Sequence, residues 1–142
     1  MKKALVTLAM AMMACAANAQ SVKVSNGSFE IKESSLAYNG KVIPLEEDIM
    51  TVKVVGKYNN LNKDVVLFSQ TTGGTACPAT YFFVTVDASG ATKSNPFGTC
   101  SDLAKVTPST GEIVVTMPSM KGKSTKYVYK EGQVFENGKL AK

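Results

Sequence analysis

The side chains that could carry chemistry are few. The 142-residue chain has no histidine, 11 acidic residues and 3 cysteines. Without imidazole it lacks the commonest general base, the usual serine triad and every histidine-containing zinc site. A serine nucleophile with a lysine base is often written Ser-x-x-Lys, and no lysine here has serine three residues before it. Lys121-Gly122-Lys123-Ser124 echoes the end of a phosphate-binding loop, but position 117 is Met where the leading glycine should stand, so the segment reads as a solvated hairpin turn. Glu46-Glu47-Asp48 crowds its carboxylates instead of spacing them at alternate positions as calcium loops do, and reads as a solvated loop. The sequence therefore predicts no metal site and no cofactor. Carboxylate-pair hydrolysis stays open, because the fold and not the spacing brings acids together. Asp64, Asp87, Asp102 and Glu112 are its candidates, with Asp102 reading more readily as a turn or cap residue.

The cysteines take their meaning from the N-terminus. Lys2 and Lys3 precede an uncharged apolar run over 4–13, and Ala17-Asn18-Ala19 supplies an A-x-A cleavage site before Gln20. That order predicts a cleaved secretory signal over 1–19, followed by a single β domain over 20–142. A membrane span would need about 20 apolar residues, and Asn18 and Gln20 interrupt this one too early. A competing path is lipidation of Cys15, which follows Ala14, although Met12 stands where lipoprotein signals usually carry Leu. Export to the periplasm or beyond places Cys77 and Cys100 where thiols oxidise, and predicts one disulfide between them. A redox-active dithiol would want Cys-x-x-Cys spacing, which is absent.

The intervening sequence supports the pairing. Tyr81-Phe82-Phe83-Val84-Thr85-Val86 is the strongest strand signal in the chain, and Asp87-Ala88-Ser89-Gly90 has the Asp and Gly of a type I turn. Cys77 and Cys100 are equidistant from that turn, so a hairpin folded there brings them together. Pro96 cannot donate to a ladder, which predicts a bulge somewhere in 95–98. Closing a loop of this length stabilises the fold by about 3 kcal/mol in the chain-entropy picture.

The elements around this clasp read as short antiparallel strands. Met50, Val52, Val54 and Tyr58 alternate with Thr51, Lys53 and Lys57, and Ile113, Val115 and Met117 with Glu112 and Thr116. Tyr127 and Tyr129 alternate with Lys126 and Lys130, although Val128 breaks the polarity of that outer face. Asn26-Gly27, Asn39-Gly40 and Asn137-Gly138 are dipeptides that primed hairpin turns favour. Segments 105–107, 112–117, 125–130 and 133–135 predict a C-terminal meander, and 45–50 has room for one short helical turn. The expected fold is all-β, a small antiparallel sandwich or barrel of roughly eight strands. The likeness of Tyr38-Asn39-Gly40-Lys41-Val42 to Glu136-Asn137-Gly138-Lys139-Leu140 is taken as recurrent turn chemistry.

These features bound the function. All 16 basic residues are lysine, scattered along the chain, and there is no tryptophan, which counts against nucleic acid as a partner. Pro96-Phe97-Gly98 beside the clasp is the candidate partner-binding loop, with Phe97 either presented to a partner or plugged into the edge of the core. Lys121, Lys123, Lys126 and Lys130 could face an anionic wall or lipid surface, or serve solubility and edge protection. A stapled β scaffold with few reactive groups predicts an exported non-enzymatic binding or accessory protein of the bacterial envelope, of inhibitor, immunity or adaptor type. Its partner would be an envelope or secreted protein met through a protein surface. The alternatives are a β-barrel carrier of small ligands or lipids and, behind it, a carboxylate-based hydrolase.

Overall fold

The computed structural model describes residues 19–142, so Cys15 and all but the last residue of the expected 1–19 signal lie outside the described residues. Among the described residues there are thirteen strands and no helix, and the strands form three antiparallel sheets. β1 (Gln20–Val24), β2 (Gly27–Lys32), β3 (Ser35–Tyr38) and β4 (Lys41–Val42) make the first, and β5 (Thr51–Asn60), β6 (Lys63–Thr71), β7 (Thr80–Asp87) and β8 (Gly90–Lys93) the second. The third is β9 (Lys105–Ser109), β10 (Glu112–Pro118), β11 (Ser124–Lys130), β12 (Gln133–Glu136) and β13 (Lys139–Leu140). Each sheet is a meander in chain order.

The middle sheet is covered on both faces, and its sequence says why. Val65-Val66-Leu67-Phe68 and Tyr81-Phe82-Phe83-Val84 are continuous apolar runs with every side chain buried, as strands packed on both faces require. Val65, Leu67, Tyr81 and Phe83 pack against Ile113, Val115, Tyr127 and Tyr129 of the third sheet. Val66, Phe68, Phe82 and Val84 pack against Phe29, Ile31 and Leu36 of the first. The fold is thus a sandwich of open sheets with two side-chain-filled layers, and not a closed barrel. Tyr129 also fixes the layers by a buried 2.6 Å hydrogen bond with the Thr85 hydroxyl.

Two local readings are corrected. Val52 and Val54 face the first sheet, but a bulge between Val54 and Gly56 inserts Val55, so Tyr58 turns to the third sheet, and Met50 is 62% exposed. Residues 45–50 form a turn with Asp48 at φ 63° and no helix.

The likeness of the two Asn-Gly-Lys segments is structural. The chain from β2 to β4 matches the chain from β11 to β13 at a constant offset. Asn39 and Gly40 have φ of 48° and 79°, and Asn137 and Gly138 have 49° and 78°. Glu33 and Glu131, in the preceding turns, both have positive φ. The Ile43 amide donates to the Leu36 carbonyl at 2.9 Å as the Ala141 amide donates to that of Val134 at 2.8 Å. Phe29, Ile31 and Leu36 bury their side chains where Tyr127, Tyr129 and Val134 do. The outer sheets are therefore two versions of one meander, and they differ in the loop entering the matched segment: Ser25-Asn26 joins β1 to β2, whereas the longer 119–123 joins β10 to β11.

Candidate functional site

The β7–β8 hairpin forms as its sequence predicts. Asp87 pairs with Gly90, the Asp87 carboxylate accepts from the Ser89 amide at 2.9 Å, and neither Ala88 nor Ser89 takes a positive φ. The ladder runs in register to Val84 opposite Lys93 and resumes one residue displaced, with Tyr81 opposite Phe97. The displaced residue lies in the stretch where Pro96 was expected to force a bulge. The Ser94 hydroxyl accepts from the Phe83 amide at 3.0 Å, replacing the carbonyl the bulge removes. Beyond it Cys77 and Cys100 are bonded, their Cα atoms 4.5 Å apart.

That bond ties together the loops 72–79 and 94–104, and a third loop is drawn in. The Thr99 amide donates to the Met117 sulfur at 3.3 Å, and the Thr99 hydroxyl donates to the Pro118 carbonyl, where β10 ends and 119–123 begins. Within that loop the Ser119 amide donates to the Lys123 carbonyl at 2.7 Å. The Tyr81 hydroxyl donates to the Ser101 carbonyl at 3.0 Å. Burial, aided by the nearby charge of Asp102, pushes the Tyr81 phenol up, which keeps its proton on the donor. Gly98 has φ 136°, and a Cβ there would sit 3.3 Å from the Tyr81 ring, so the close approach needs glycine.

Phe97 does not face a partner. It is 5% exposed, stacked on Phe83 at 5.6 Å between centroids and tilted against Tyr127 at 5.0 Å. The bulge at Pro96 turns the aromatic ring inward, so of the two readings of Phe97 the structure shows the core plug. What the tied end does present is Met120, 89% exposed, and Leu103, 69% exposed. With Ala76, Pro78 and Pro118 they rim a shallow cleft of about 350 Å³ over the disulfide. Sequence reading overlooked both anchors. The available signal was an isolated Met in the polar 119–123 loop and an isolated Leu directly after Asp102.

The candidate carboxylates disperse. Asp64 accepts from the Ser25 amide, which holds its carboxyl below the usual range, and Asp87 lies 3.6 Å from the Lys63 ammonium. Glu112 lies 3.9 Å from Lys130 on the outer face of the third sheet, while Asp102 lines a separate cleft with Tyr81. Glu46 and Glu136 do share a cleft of about 260 Å³ with Tyr127, but Glu46 already accepts from Gln70 at 2.8 Å. Among the described residues no group of three Asp, Glu, Cys or His could hold a metal ion, and no helix is long and apolar enough to cross a membrane. Comparison with protein-family models, with curated proteins and with solved structures finds no match.

Proposed function

We propose that the chain is an exported, non-enzymatic binding protein that recognises an envelope or secreted protein through its disulfide-tied end. The observation that carries this reading is the pairing of rigidity with exposed apolar surface. Three loops cross-linked by Cys77–Cys100, Thr99 and Tyr81 present Leu103 and Met120 to solvent. A fixed loop loses little conformational entropy on binding, and apolar anchors surrounded by a polar rim are where binding energy concentrates. The disulfide fits the oxidising compartment to which the 1–19 signal would deliver the chain. A filled interior suits recognition by surface better than carriage of an enclosed ligand.

The test is comparative capture. Immobilised mature protein, beginning at Gln20, and its Leu103→Ser/Met120→Ser variant are exposed to envelope extract from the same cells. The reading expects a defined protein held by the first and lost by the second; equal capture by both, or capture of nothing, contradicts it.

A further inference from the structure

The third sheet carries a second surface. Thr107, Val114, Val128, Phe135 and Leu140 are successive cross-strand neighbours, one from each of its five strands, on the face turned away from the core. At the ordinary strand spacing this row is about 19 Å long. The neighbouring row holds Lys105, Thr116 and Lys126, and the row on the other side holds Glu112 and Lys130. Glu112 is matched to Lys130, which leaves Lys105 and Lys126 without an opposing charge within that face.

The first sheet is an internal control. Its corresponding row is Ser21, Glu30, Ala37 and Val42. One meander, laid twice on the same core, carries Ser21, Glu30 and Ala37 in one version where the other carries Val114, Val128 and Phe135; both rows end on an exposed aliphatic residue, Val42 or Leu140, and both have lysines on their flanks, Lys23 and Lys32 in the first sheet. Stability does not require Val114, Val128 and Phe135 at these places, since the first sheet does without them.

We infer that the outer face of β9 to β13 docks on an anionic phospholipid bilayer, the row from Val114 to Leu140 lying against the interface and Lys105 and Lys126 among the headgroups. Lysine beside apolar side chains is the chemistry of adsorption to a diffuse anionic surface. A defined acidic protein surface would favour arginine and its bidentate geometry, whereas lysine is depleted at protein interfaces and this chain has no arginine. A second copy of the chain would bring like-charged faces together.

The experiment is co-sedimentation of the mature protein with vesicles of phosphatidylcholine alone or with 30% phosphatidylglycerol, a composition of roughly one anionic lipid in three. The inference expects binding at least about tenfold tighter to the anionic vesicles, falling with salt over the range where surface charges are screened. Val114→Ser/Val128→Glu/Phe135→Ala, which copies Ser21, Glu30 and Ala37 into the same backbone, should abolish that binding with the folded spectrum intact. Lys105→Gln/Lys126→Gln, which leaves the row untouched, should weaken it about tenfold or more and covers the case in which the triple variant fails to fold. The Leu103→Ser/Met120→Ser variant should sediment like the wild type, which separates this face from the tied end. Failure to bind anionic vesicles at low salt, equal binding to both compositions, or retention by the lysine variant would overturn the inference. So would a wild-type dimer that the triple variant dissociates, in favour of a second copy.

Discussion

Phe97→Ala distinguishes a core plug from a presented anchor by the size of its effect on stability. Phe97 is 5% exposed, and its ring meets Phe83 at 5.6 Å, Tyr127 at 5.0 Å and Tyr81 at 6.1 Å. Removing a fully packed phenylalanine forfeits transfer energy and leaves a cavity, together about 3 to 5 kcal/mol. The backbone around the site resists collapse, because Phe97 exchanges two 2.8 Å hydrogen bonds with Tyr81 and the disulfide holds the chain just beyond it. The cost should therefore sit in the upper part of that range, which for a domain of this size lowers the melting temperature by about 10 to 20 °C. Thermal and urea denaturation of the mature protein, followed by circular dichroism with the disulfide intact, gives the number. Met120→Ser, exposed to solvent, should change stability by less than about 0.5 kcal/mol in the same assay. A loss below about 1 kcal/mol on Phe97→Ala would mean that the ring is not packed as described, and the assignment of the tied end would have to be redrawn.

The other expectations follow from single contacts. Replacing Cys77 and Cys100 together by alanine should destabilise the fold by about 3 kcal/mol, read as a shift in the urea midpoint, because the cross-link closes a loop with a sequence separation of 23. Tyr129→Phe removes the partner of the buried Thr85 hydroxyl and should cost about 1 to 3 kcal/mol, whereas an effect near zero would show that water reaches Thr85. Asp64 has its carboxyl held low chiefly by the Ser25 amide. Its stabilisation is complete above the unfolded-state value near 3.9 and is lost as pH falls through the lower folded value. Asp64→Asn should accordingly flatten the acid limb of the stability profile measured by urea titration between about pH 2 and 5.

What the sequence disclosed was the part governed by local chemistry. The β7–β8 turn, the disulfide across it, the bulge at Pro96 and the C-terminal meander follow from turn residues, alternation and the missing amide of proline. Within the middle layer β6 was hidden because Val65-Val66-Leu67-Phe68 has no alternation, and burial on both faces erases the period that marks a strand. The Leu61-Asn62 turn before it, with φ of 50° and 62°, carries no glycine to announce it. Gly56, a lone glycine inside the strand, was the available sign of the bulge that sends Tyr58 to the other layer, but the register it sets depends on the partner strand. Phe97 took the core-plug role that was one of its two readings, while sequence reading had not marked Met120 as exposed. An aromatic residue between turn formers was pulled inward by the bulge, and a methionine in a lysine-flanked turn was left outside by the longer loop of one meander.

The most direct test of the tied end as the recognition surface is photocrosslinking in the producing cell, with a benzophenone amino acid placed at position 120, at 103 or at 42. Val42 is 69% exposed, as Leu103 is, but lies on the edge of the first sheet, so it reports exposure without the site. The account predicts one shared adduct of fixed mass from positions 103 and 120 and none from 42. Adducts of equal yield from all three positions, or from 42 alone, would contradict it.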